Sequence, residues 1–185
     1  MNWLSLLKSL HLRHFSKPKS HRRLYRLVHR CRCRRIVELG ITDLNRTLRM
    51  LSVAGCLEAD EPVRYTGVDC FEARDEHAPR LQLKETHRSL AATGSRFRLA
   101  PGTAASVLRR LANELADTDL LLVSAFSQLE PDSDAWYYVP RMLHQRSLVL
   151  VESLSQEGTP EFAMLPISEI ESRAEAASRR RRRAA

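Results

Sequence analysis

Four short segments carry the residues with the means to do chemistry. Glu38, Gly40, Thr42 and Asp43 follow one apolar run, and Asp69, Cys70 and Phe71 end a second. Gly102 and Thr103 follow a third, and Ser124 closes a fourth. A carboxylate in such a place accepts hydrogen bonds from sugar hydroxyls or caps the next helix. A glycine lets backbone approach a ligand closely, having no side chain and tolerating positive φ. Other chemistry is missing. There is no G-x-S-x-G and no Ser-His-Asp order for a hydrolase. Cys31-x-Cys33 is not the C-x-x-C of zinc or thioredoxin sites, and no second pair follows at ligand spacing, so no metal site is expected. His77 and His144 stand alone and read as surface or core residues rather than bases.

These residues matter only if strands and helices bring them together. Residues 35–40, 63–69, 96–99, 120–125 and 147–152 read as strands, the fourth being the most apolar. Helices are expected over 44–54, with Leu44, Leu48 and Leu51 on the apolar face, and over 81–92, 104–116 and 136–144. Thr42 and Asp43 suit the cap of the first of these, and Gly55 suits its stop. Residues 162–165 read as a sixth, edge strand, ended by Pro166, and 168–177 as a last helix. Alternating strands and helices predict an α/β fold: a Rossmann-like, doubly wound, mostly parallel sheet of five to six strands with helices on both faces. In such a sheet ligands bind outside the carboxyl ends of the strands, where the four segments lie.

The chain has 185 residues, 43 % of them hydrophobic, and a net charge of +8 that is unevenly spread. Residues 1–35 hold 11 Lys and Arg and no acid, and residues 179–183 are five arginines in a row. The stretch between carries 14 basic against 22 acidic residues. The expected organisation is a basic, partly helical N-terminal arm (1–33), a Rossmann-like domain (34–177) and an Arg-rich disordered tail (178–185). Such arms suit nucleic acid or an anionic lipid surface, or are solvated. Residues 21–31 should form a basic helix, and residues 1–15 a weak amphipathic one that suits an interface or packing on the domain equally well. The apolar run at Trp3 is broken by Lys8, so neither a secretory signal nor a membrane span is expected. Cys31, Cys33, Cys56 and Cys70 read as free thiols, Cys56 and Cys70 buried, in a cytoplasmic protein.

The order Glu38-Leu-Gly40 after an apolar strand, Gly67-Val-Asp69 ending the second, Gly102-Thr103 before a helix, then Asp119-Leu-Leu-Leu-Val resembles the class I S-adenosylmethionine-dependent methyltransferases. The resemblance spans about two-thirds of the chain and rests on order and spacing rather than on any one motif. It implies S-adenosylmethionine as cofactor. The loop with Glu38, Gly40, Thr42 and Asp43 would wrap its methionine part, Asp69 would hold the ribose hydroxyls, Cys70 or Phe71 would lie on the adenine face, and Gly102 and Thr103 would sit near the adenine edge, with Ser124 closing the site. Departures are visible: only Gly40 remains of a usually glycine-rich loop, Leu44 stands where the family often has glycine, and the fourth strand ends in Ser124-Ala-Phe126 without an acid. The chain is also short for the family's last antiparallel strand pair.

Glu38 has a competing reading, as a cap or the partner of an arginine. Trp136, Tyr137 and Tyr138 suit an acceptor pocket or a core stripe, and Arg141 suits an anionic acceptor or solvent. Asp119 begins its strand, at the wrong end of the sheet for catalysis. The leading function is methyl transfer to an unknown acceptor. The alternative is a catalytically degenerate domain that binds nucleic acid or a protein partner through its basic tails. A nicotinamide oxidoreductase is disfavoured, because no G-x-G-x-x-G follows the first strand.

Overall fold

A computed structural model describes residues 3–57, 61–76, 78–127 and 129–184, so His77 lies outside the described residues. The strands are β1 (Arg35–Leu39), β2 (Arg64–Asp69), β3 (Arg96–Pro101), β4 (Thr118–Val123), β5 (Leu143–Leu154) and β6 (Pro160–Met164). They form one six-stranded sheet in the order β3-β2-β1-β4-β5-β6. All neighbours pair in parallel except β5 and β6, which are antiparallel. The fold is the expected Rossmann-like α/β sheet, and β6 is its one antiparallel edge. The order reverses between β1 and β4. Their carboxyl ends therefore open the crevice in which such sheets bind ligands.

The helices are α1 (Trp3–Phe15), α2 (Lys19–Arg30), α3 (Leu44–Gly55), α4 (Leu83–Ala91), α5 (Ala104–Leu111) and α6 (Ile167–Ala184). Asp43 caps α3 by accepting from the Asn45 N–H at 2.9 Å, and Thr103 caps α5 by accepting from the Ser106 N–H at 3.3 Å. The caps start each helix at the mouth of the crevice. Val107, Leu108 and Leu111 of α5 and Ile170 and Ala177 of α6 belong to one core cluster on one face of the sheet, both helices packing against the segment Asp134–Arg141. Leu24, Tyr25 and Val28 of α2 and Met50, Leu51 and Val53 of α3 pack on the other.

Several boundaries move. Residues 136–144 are not an α-helix: a 3-10 helix covers Asp134–Arg141, with Pro140 inside it, and Leu143 already begins β5. Proline lacks the N–H that an α-helix needs there. The N-terminal segment is no appended arm, since Leu24, Tyr25 and Val28 are fully buried. The tail expected to be disordered from residue 178 instead continues α6 to Ala184. Arg180 pairs with Asp134 at 3.0 Å and Arg181 donates to the Tyr138 hydroxyl at 2.6 Å, so the arginine run has partners on the domain. All four cysteines are free, but it is Cys33 that is fully buried, with Cys56 and Cys70 half-buried. Burial pushes the Cys33 thiol up to about 12.

His21 on α2 is buried against Tyr25 and the β6 residue Phe162, both rings 6.1 Å away. Desolvation, then the nearby Arg46 charge, pushes its imidazole down to about 4. Below its ordinary value of 6.5 the unfolded chain therefore binds a proton that the folded chain refuses. Stability is expected to fall as pH drops from about 6.5 to about 4, by up to roughly 3 kcal/mol from this group. Urea unfolding across that window should show a shallower decline in His21→Phe than in the wild type. Leu24→Ala should cost about 2–5 kcal/mol in the same assay at neutral pH, as a core deletion does; a change near zero would mean that α2 is peripheral.

Candidate functional site

The loops after β1, β2, β3 and β4 close around a cavity of about 210 Å³. Gly40, Asp69, Cys70, Gly102 and Thr103 line it, as the sequence reading expects, together with Arg74, Phe126, Ser127 and Glu130. Backbone bonds fix this geometry: the Gly40 N–H donates to the Val68 carbonyl at 2.7 Å, and the Gly102 N–H to the Asp69 carbonyl at 2.9 Å. Gly102 has φ +133°, open to glycine alone without strain.

Asp69 is buried and fully engaged. Its carboxylate accepts from the Ile41 and Phe71 N–H groups, each at 2.8 Å, and from Arg74, whose Nε lies 2.6 Å away and whose Nη2 takes the other oxygen. Arg74 is held in turn by the Ile41 carbonyl at 2.6 Å and the Pro79 carbonyl at 2.7 Å. A bidentate guanidinium on a carboxylate is among the stronger side-chain pairings. The acid expected to hold a ribose thus already holds an arginine, one that the sequence reading did not single out. Its position five residues after Asp69 was the signal that was available.

The other expected site residues turn away from the cavity. Glu38 points into the protein. It accepts from Thr47 and from Tyr65, both at 2.8 Å, and from Arg46. Arg46 also pairs with Glu152 at the end of β5 and donates to the Ser124 hydroxyl at 3.1 Å. Thr42 donates to Glu152 at 2.6 Å. Glu38, Arg46, Ser124 and Glu152 are all buried. Desolvation pushes the Glu38 carboxyl up, and Arg46, Tyr65 and Thr47 push back. Desolvation opposes charge on Arg46, yet its two carboxylates outweigh that and raise its affinity for the proton. Gly67 makes room for this arrangement: a Cβ there would lie 2.8 Å from the Tyr65 hydroxyl. Asp43 is spent on its cap, and Phe71 is buried outside the cavity lining. Trp136 is a core residue whose indole donates to the Glu130 carbonyl at 2.9 Å, and Tyr137 and Tyr138 lie between Arg141 and Arg181. None of the three aromatics lines the cavity. His144 meets Asp119 at 3.1 Å at the opposite end of the sheet, where Asp119 also accepts from the Arg34 and Arg35 N–H groups.

S-adenosylmethionine, which the resemblance implies, fits these residues in part. Asp69, Cys70 and Gly102 suit a nucleoside once Arg74 is displaced. The bare face of Gly40 is covered by the chain itself: a Cβ there would stand 2.7 Å from the Ser127 backbone and 2.9 Å from the Phe126 carbonyl carbon. The cavity is also smaller than the roughly 300–1,000 Å³ of usual small-molecule sites. As the side chains stand, Arg74 occupies both oxygens of the Asp69 carboxylate, and a nucleoside would have to take its place.

No protein-family model matches the chain, and no curated protein matches it. Among solved structures, it is similar to the O-methyltransferase TomG from Streptomyces achromogenes, involved in tomaymycin synthesis and solved with SAM. The TM-score is 0.55 at 15 % identity, over 94 % of this chain and 76 % of that one. It is also similar to the O-methyltransferase from Bacillus cereus in complex with SAH, with TM-score 0.52 at 15 % identity, over 95 % and 76 % of the two chains. At such identities the likeness establishes the fold: a methyltransferase-type Rossmann sheet.

Proposed function

We propose that this chain is a methyltransferase-like protein whose Asp69 cleft takes the nucleoside end of S-adenosylmethionine, with Arg74 turned out of the cleft when the ligand enters. Methyl transfer to an acceptor is the activity this reading implies. The observation that carries it is convergence: Gly40, Asp69, Cys70, Gly102 and Thr103, from three separate loops, line one cavity at the switch point of the sheet. The solved relatives bound to SAM and SAH support the same ligand class.

A second reading is favoured by a specific observation. Arg74 saturates Asp69, and the Ser127 and Phe126 backbone covers the bare face of Gly40. On this reading the chain keeps the fold, has closed the cleft with its own side chains, and engages nucleic acid or a protein partner through basic surfaces. Those surfaces belong to folded helices, α2 and α6, rather than to loose arms.

Calorimetric titration with S-adenosylmethionine and S-adenosylhomocysteine separates the two. Micromolar binding that Arg74→Gln tightens and Asp69→Ala abolishes is the result expected of the first reading. No heat at millimolar ligand from either the wild type or Arg74→Gln overturns it and leaves the second.

The Arg46 cluster gives an independent expectation. Arg46→Met strands two buried carboxylates and should cost about 3–5 kcal/mol. Neutralising them as well, in Glu38→Gln/Arg46→Met/Glu152→Gln, should return a large part of that loss. Denaturant midpoints of the single and triple variants check this, and equal losses in both would count against the buried-charge account.

A further inference from the structure

α1 is built inside out. At 100° per residue Ser5, Ser9 and Leu12 fall on one side, while Trp3, Leu7 and Leu10 fall opposite, with Leu4 beside them. A helix docked on a globular domain buries its apolar stripe. Here Ser9 (1 % exposed) and Leu12 (6 %) face α2 and α3, and the Ser5 carbonyl accepts from the Cys56 thiol of α3 at 3.1 Å. The side with most of the large apolar residues faces outward instead, with Trp3 66 %, Leu4 57 %, Leu7 51 %, Leu10 45 % and Phe15 65 % exposed and the exposed His11 and His14 standing among them. Large side chains gathered on one exposed surface mark an interaction site.

Charge identifies the partner. Residues 1–35 hold 11 Lys and Arg and no acid. Lys8 and Arg13 fall on the two flanks of the apolar arc, and Lys17, Lys19, Arg23 and Arg26 are exposed just beyond it. A second copy of this chain would bring the same uncompensated positive charge against itself. An apolar arc carrying a tryptophan and flanked by basic residues is the pattern of a helix lying in the plane of a membrane interface. No helix among the described residues is long and apolar enough to cross a membrane. We propose that α1 is a peripheral docking helix for an anionic lipid bilayer, with Trp3, Leu4, Leu7, Leu10 and Phe15 entering the interface and the basic residues of α1 and α2 meeting the headgroups.

The test is cosedimentation of the full chain with phosphatidylcholine vesicles and with vesicles containing a third phosphatidylglycerol, in low and high salt. Trp136 is already buried, so the emission of Trp3 reports insertion. The expected result is binding to the anionic vesicles only, weakened by salt, with a blue shift of Trp3 emission that Trp3→Phe removes. Leu7→Asp/Leu10→Asp, at exposed positions, should leave the urea midpoint unchanged and weaken binding by about tenfold or more. Absent binding, equal binding to neutral vesicles, or binding that the double variant leaves intact would each overturn the proposal. So would a self-association, measured by sedimentation equilibrium, that the same variant dissolves, since a second copy would then cover the helix.

Discussion

Arg46 sits between Glu38 and Glu152, and the centre of the molecule is organised around it. A guanidinium and two carboxylates out of water are costly unless each polar atom finds a partner. The chain supplies most of them, from β2 (Tyr65), α3 (Thr47), the end of β4 (Ser124) and the loop after β1 (Thr42), and leaves the buried Arg46 Nε without one. The cluster thereby joins the carboxyl ends of β1, β4 and β5 to the first turn of α3.

Arg74 does for β2 what Arg46 does for β1. Each strand ends in a buried acid, and each acid is answered by an arginine from the segment that follows. The two acids differ in consequence. Glu38 lies behind the sheet ends and is unreachable from the cavity, whereas Asp69 lines it with Arg74 beside it. Displacing one side chain would bare Asp69. Baring Glu38 would mean dismantling the buried Arg46 cluster.

Charge along the chain is misleading until it is folded. The two basic ends look like loose arms around an acidic domain. Yet α2 lays Leu24, Tyr25 and Val28 into the core, and α6 stacks Arg173 on Trp136 and Arg181 on Tyr137 and Tyr138. Aromatic faces and the hydroxyl of Tyr138 give the guanidinium groups partners, which is what converts an arginine run into the last turns of a helix. Composition showed that the ends were basic. It did not show that the 3-10 segment beside them carried three aromatic rings facing the right way.

Alternating apolar runs and helical stripes were legible in the sequence, because the periods of strand and helix are local properties of a few consecutive residues. They placed the strands, the helix cap at Asp43, and the residues Gly40, Asp69 and Gly102 at one end of the sheet. Glu38 was left between serving a ligand and pairing with an arginine, and the fold decided for the arginine. That outcome required Glu152, 106 residues from Arg46 in sequence, to arrive beside it through the pairing of β4 with β5. Likewise the glycine at position 40 announced a close approach, but only the loop after β4 determined that the approaching backbone was the protein's own. Residue type and spacing set which groups stand at the strand ends. Which of them stay available depends on partners drawn from distant segments, and the tertiary structure alone brings those together.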